Sequence, residues 1–151
     1  MAEKAKILCS ACLLGVKCRY DGQGKPNEKV LGLAKKEILI PVCPEQLGGL
    51  PIPRVPSEAT GSGQAVLEGK AKVITKQGSD VTDSFIRGAE EVLKLARLLG
   101  AKKAILKQRS PSCGSGQIYD GTFSKTVTKG DGVTAALLKQ NGIEVVSEEE
   151  L

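Results

Sequence analysis

The segment 83–99 imposes the tightest constraint on how this chain can fold. Its apolar residues Phe85, Ile86, Ala89, Val92, Leu93, Ala96 and Leu99 recur at i, i+1, i+4, i+7, i+8, i+11 and i+14, on one face of an α-helix. Gly100 stands where a left-handed C-terminal cap belongs, and the run 102–107, KKAILK, follows at once as a strand. A helix that runs straight into a strand must lay its apolar face on the sheet that the strand joins.

The flanking sequence repeats this alternation. Residues 6–9, KILC, read as a short buried strand after a charged leader. A short helix over 31–36 leads into 37–43, EILIPVC, whose nearly continuous apolar run is the pattern of a strand covered on both faces. Asp131 as N-cap, apolar Val133, Leu137 and Leu138, and the Asn141-Gly142 stop predict a last helix, followed by a strand over 143–146 and a solvated SEEEL tail. Strands alternating with helices imply parallel pairing and right-handed crossovers. The expected fold is α/β, a single-domain three-layer sandwich over residues 1–151 with a mostly parallel, Rossmann-like sheet. Prolines and glycines between 44 and 63 predict a long loop, and the segments 65–68 and 71–75 around Gly69-Lys70 predict a hairpin.

Composition removes whole classes of chemistry. With 151 residues the chain can withdraw roughly 68–70% of its unfolded surface from water without a covalent staple. Two Phe, two Tyr and no Trp leave Ile, Leu, Val and Ala to fill the core. The sequence contains no histidine, which excludes a Ser-His or Cys-His nucleophile, a His base and mixed Cys/His zinc fingers. A net charge of +5 from scattered lysines, without an aromatic-interleaved basic patch, does not call for a polynucleotide partner. No apolar run reaches the roughly 18 residues of a membrane span. The N-terminus makes a poor secretory signal, and five cysteines in such a chain point to a reducing cytoplasm, where thiols serve metals or catalysis more often than disulfides.

Three strands are each followed within a few residues by cysteine: Cys9 and Cys12 after the first, Cys43 after the second, and Cys113 after KKAILK. In an open parallel sheet these positions share the carboxyl edge, where ligands bind. Cys9 lies inside the apolar run and reads as a small buried hydrophobe, whereas Cys18 reads equally well as structural or functional. Cys12, Cys43 and Cys113 stand in loops beside Gly or Pro, a moderate case for a metal site. The only CxxC pair, Cys9 and Cys12, has no second knuckle to complete a zinc site, while three separated thiolates suit an iron–sulfur cluster with one iron left open. Glu45, two residues after Cys43, could act as a general acid and base. Lys107, Arg109, Ser110 and Ser112 surround Cys113 and could hydrogen-bond a carbonyl or an anion, and Gly114-Ser115-Gly116 could form a backbone nest.

Three blocks carry a resemblance: SACLLGVKCRYDG (10–22), CPEQLGGLPIPR (43–54) and RSPSCG (109–114). In this order they resemble DUF523, the family of TudS-like thiouracil desulfidases, over nearly the whole chain. The resemblance implies a 4Fe-4S cluster held by Cys12, Cys43 and Cys113, with the fourth iron open to the substrate's sulfur. It further implies non-redox removal of sulfur from a small thiobase such as 2-thiouracil, giving uracil and sulfide. Glu45 then manages protons, and a serine of the RSPSCG loop, Ser110 or Ser112, assists. Arg54, closing the second block, joins Lys107 and Arg109 as a substrate-binding candidate. Two other readings stand beside this one: a cluster-dependent sulfur transferase acting on tRNA or a metabolite, and a zinc- or thiol-based structural or redox-sensing module. Oligomeric state is left open.

Overall fold

The computed structural model describes residues 4–151, so the first three residues of the charged leader lie outside it. In chain order the elements are β1 (Lys6–Ser10), α1 (Glu28–Leu33), β2 (Ile38–Val42), α2 (Pro44–Leu47), β3 (Ser57–Ala59), α3 (Gly63–Leu67), β4 (Val73–Thr75), α4 (Thr82–Leu99), β5 (Lys103–Leu106), β6 (Gln117–Tyr119), β7 (Val127–Lys129), α5 (Val133–Gln140) and β8 (Glu144–Ser147). Single 3-10 turns cover Ala11–Leu14 and Glu148–Glu150.

Strands β2, β1, β5 and β8 pair in that spatial order, every pair parallel. Successive residues of a strand serve opposite faces. Leu8, Ala104 and Leu106 pack with Val92, Leu93 and Ala96 of α4 and with Ala135 and Leu138 of α5. Ile7, Cys9 and Ile105 pack on the other side with Leu13 and with Val30 of α1. Helices therefore cover both faces, giving the three-layer α/β sandwich that the alternation implies. Cys9, 0% exposed, is a core residue.

The connections diverge at the centre of this sheet. From β1 the chain returns through α1 to β2 on one side, and from β5 it returns through α5 to β8 on the other, with α1 and α5 on opposite faces. Neighbouring strands whose following segments leave in opposite directions open a crevice at their carboxyl ends. A third core of Ala59, Val66, Val73, Phe85, Ala89 and Val133 joins the antiparallel β3–β4 pair to α3, α4 and α5. The antiparallel pair β6–β7, which carries no clear sequence signal, follows the Cys113 loop.

Several expectations are corrected. β2 is an edge strand with Ile38 45% exposed and Pro41 exposed, not a strand covered on both faces. Pro41 has no N–H to give to an outer neighbour, which confines it to an edge. α1 starts at Glu28 because the Asn27 side chain accepts from the Lys29 and Val30 N–H groups. The segment 44–63 is not one loop: Pro44 occupies the first position of α2, where its missing N–H costs nothing, and β3 lies within the segment. The hairpin expected over 65–75 is replaced by α3, whose first turn Ser62 caps by accepting from Ala65 N–H at 3.1 Å, and by β4, which pairs with β3. Gly132, not Asp131, is the N-cap of α5; the Asp131 carboxylate accepts instead from Gly116 N–H and from Lys139.

The short helix α2 docks on α4 through two glycines. A Cβ on Gly88 would stand 1.9 Å from the Pro44 carbonyl oxygen, and one on Gly48 would stand 2.0 Å from that of Ser84. Backbone meets backbone there, so neither side can yield as a side chain does. This contact holds α2, and the Cys43 and Glu45 at its start, against the long helix. Gly88→Ala is expected to lower stability by about 3 kcal/mol or more, roughly 6–12 °C in Tm. Gly32→Ala in α1, where nothing lies within 4 Å, should instead raise Tm by roughly 1–4 °C. Thermal unfolding of both variants checks the pair, and equal effects would contradict the docking contact.

Candidate functional site

The crevice holds a cavity of about 360 Å³. Cys12, Cys18, Cys43 and Cys113 all line it, so the thiols predicted to share the carboxyl edge do meet there. Each is brought by a different local device. Cys12 sits in the 3-10 turn after β1, and its carbonyl accepts from Gly15 and Lys25 N–H groups at 3.0 and 2.8 Å. Cys43 is the N-cap residue of α2. Cys113 is fixed by α5: the Pro111 carbonyl accepts from Val133 N–H, and that of Ser112 from the Thr134 and Ala135 N–H groups, so the loop caps the helix. Gly132 permits the approach, since a Cβ there would lie 2.7 Å from the Cys113 backbone nitrogen.

The thiols are buried among one another. The Cys43 thiol donates to the Cys18 carbonyl oxygen at 3.7 Å. Its hydrogen bond with the Cys18 side chain, then burial, hold its pKa above the ordinary thiol value. Cys18 is raised as well, first by its hydrogen bond with Cys12. Burial pushes the Cys113 thiol up to about 12, with hydrogen bonds from the Ser10 and Ser112 hydroxyls acting in the opposite direction. Thiols of this kind are protonated at neutral pH and must lose their protons to bind a metal. Among the described residues no three Cys, Asp or Glu side chains converge closely enough to hold a single ion. Thiols distributed around a cavity of this volume fit a polynuclear centre better than a mononuclear zinc site.

Glu45 lines the cavity beside the thiols, and its Oε2 is gripped twice by Arg54, from Nε at 2.7 Å and from Nη2 at 2.6 Å. Arg54 also donates to the carbonyls of Cys18 and Pro51. Oε1 of Glu45 has no hydrogen-bond partner among the described residues. All three cations expected at the site line the cavity, and all three are paired: Arg54 with Glu45, Lys107 with Glu148, and Arg109 with Glu149. Ser110 lines the cavity, and its Oγ accepts from the Ser112 and Cys113 N–H groups at 3.1 Å each. Ser112 is 0% exposed, its hydroxyl bonded to that of Thr134 at 2.7 Å. The expected nest over 114–116 is not available for an anion, because those N–H groups already serve Ser110, Gln108 and Asp131.

Sequence reasoning missed several participants. All four aromatic residues, Tyr20, Phe85, Tyr119 and Phe123, stand around this one cavity, Phe85 from within the core. Their scarcity elsewhere was the signal. Ser10 ends β1 and accepts the Lys107 N–H at 2.9 Å, tying the two strands together where the crevice opens. The C-terminal residues are not a solvated tail. Glu148, 8% exposed, accepts the Gln108 N–H at 2.7 Å through Oε1 and pairs with Lys107 through Oε2 at 3.2 Å. Ser147 and Glu150 form a capping box that holds this turn.

The sequence profile of the 2-thiouracil desulfurase family matches residues 7–150. The chain belongs to this family. A relative, the Bacillus subtilis (strain 168) protein YbbK, described as uncharacterized, is 49% identical over 146 residues, covering 96% of this chain and 97% of that protein. The solved structure of the [4Fe-4S]-dependent thiouracil desulfidase TudS is similar at a TM-score of 0.87 and 45% identity, over 98% of this chain and 93% of that one. The family is one of enzymes, and the α/β sandwich is the TudS fold.

The buried clamp at Glu148 has a measurable consequence. Glu148→Ala strips the Gln108 N–H and the Lys107 ammonium of their partner and is expected to lose about 2–3 kcal/mol in urea unfolding. Glu148→Gln, which keeps an acceptor for the N–H, should lose less than half as much. A neutral Glu148→Ala would restore the picture of a solvated tail.

Proposed function

We propose that this chain is an iron–sulfur-dependent, non-redox desulfidase that converts 2-thiouracil or a related thiobase to the oxo base and sulfide, with Cys12, Cys43 and Cys113 holding a 4Fe-4S cluster. The observation that carries the reading is the meeting of these three thiols, from three separate strand ends, on the wall of one cavity around which Glu45 and all four aromatic residues also stand. Similarity to TudS supports the cofactor and the substrate class.

The bound cluster supplies an open iron, a soft Lewis acid for the substrate sulfur, which is otherwise a poor leaving group from carbon. The side chains around it do the rest. Tyr20, Tyr119 and Phe123 offer flat faces for a heteroaromatic base, while Phe85 is buried in the core behind the wall. Arg54 occupies Oε2 of Glu45 and fixes the carboxylate's orientation, so Oε1 is the oxygen that takes a proton from the attacking water and returns it as the ring carbon exchanges sulfur for oxygen. Carbon keeps its oxidation state, and water supplies the oxygen and two protons for the departing sulfide. Ser110, which lines the cavity while Ser112 is fully buried, is the serine that assists at this carbon. Cys18 supports the ligand thiols through hydrogen bonds.

Anaerobically prepared protein should release sulfide and uracil from 2-thiouracil with no reductant supplied. Glu45→Gln should keep the cluster's visible absorption while kcat falls about 10²–10⁴-fold. Cys113→Ala should lose that absorption with circular dichroism unchanged, and Cys9→Ala should retain it. A requirement for reductant, or full activity in Glu45→Gln, would contradict the mechanism.

A further inference from the structure

The loop 120–126, which joins β6 to β7, has an unusual backbone. Phe123 and Lys125 adopt left-handed φ values of 57° and 62°, and Gly121 one of 94°. Such conformations cost a side-chain-bearing residue of order 1–3 kcal/mol and persist only where the surroundings enforce them. Here the enforcement is visible. Oε1 of Glu58, on β3 and 8% exposed, accepts from both Gly121 N–H at 2.9 Å and Phe123 N–H at 3.2 Å. The two N–H groups form a nest, and its anion is the protein's own carboxylate. At the tip, Asp120 accepts from the Thr122 N–H and hydroxyl, and the hydroxyls of Thr122, Ser124 and Thr126 form a chain.

This arrangement places Phe123 and Lys125 on the wall of the cavity. We infer that the 120–126 loop is a prebuilt aromatic wall, in which Phe123 is a specificity-determining residue that stacks on the substrate ring and Glu58 is the positioning residue that holds Phe123 in place through the nest. The inference rests on the desulfidase reading for the ring it stacks on, but the Glu58 nest can be examined without any substrate. Glu58 lies on a different sheet from the thiols, and although it also lines the cavity its hydrogen bonds go to the 120–126 loop, so its effect is assigned to binding and not to the chemical step. Stacking a base on an aromatic side chain is worth about 1–3 kcal/mol, a factor of roughly 5–150 in affinity.

Two measurements test it. Amide hydrogen exchange at Gly121 and Phe123 should speed up in Glu58→Ala and stay near that of the wild type in Glu58→Gln, whose side-chain carbonyl can accept both N–H groups. With 2-thiouracil, Phe123→Leu should raise KM about tenfold or more with kcat within about threefold. Glu58→Ala should raise KM to a similar degree, Glu58→Gln should restore it, and the double variant Glu58→Ala/Phe123→Leu should be no worse than Phe123→Leu alone, because both changes remove one interaction. Unaltered exchange in Glu58→Ala would overturn the nest, and an unaltered KM in Phe123→Leu, or additive effects in the double variant, would overturn the stacking role. Failure of the desulfidase reading is seen separately, as absence of turnover by the wild-type protein.

Discussion

The parallel pairing of β1 with β5 is the constraint from which the rest of the site follows. Ile7, Leu8 and Cys9 lie in register with Lys103, Ala104 and Ile105, and both strands are buried from each face. Their following segments turn away from each other, so the sheet itself opens the crevice. One hydrogen bond, from Lys107 N–H to Ser10 Oγ, closes its floor. Cys12 and Cys113 lie in the segments that follow the two strands, and Cys43 arrives beside them from β2, the outer neighbour of β1. Three thiols separated by long stretches of chain are thus brought together by backbone pairing, before any of them meets a metal.

Three of the cations around this crevice, Arg54, Lys107 and Arg109, are held in ion pairs. Arg54 with Glu45 lies largely out of water, and Lys107 with Glu148 likewise. Removing one member of such a pair leaves an uncompensated buried charge, which costs more than the pair itself contributes. Arg54, Lys107 and Arg109 each engage a carboxylate in this structure. They hold Glu45 by one oxygen and lock the 107–113 loop to the C-terminal turn.

Much of this was legible in the sequence where the signal was local and periodic. The 3.6-residue repeat of 83–99, the apolar strand runs and the cysteine after each of three strands led to the fold and to the shared edge of the thiols. Signals of a second kind misled. Pro41 sits inside an apolar run that resembles a central strand, yet its missing N–H decides for the edge. Gly48 reads as a loop residue, although its lack of a side chain is what lets α2 lie on α4. Glu148 and Glu149 read as solvated tail charges because their partners, Lys107, Gln108 and Arg109, lie some 40 residues away in sequence. The roles of Phe123 and Glu58 depend on pairing between distant segments and a left-handed backbone, which no spacing rule encodes.

The central claim is that three thiols hold a cluster with one position left for substrate. It is tested most directly by Mössbauer spectroscopy of anaerobic protein loaded with ⁵⁷Fe, recorded before and after addition of 2-thiouracil. Iron and labile sulfide are expected in the ratio of a 4Fe-4S centre, with about one quarter of the iron signal changing when substrate is added. Iron signals indifferent to substrate, or protein that binds one zinc and no iron, would contradict it.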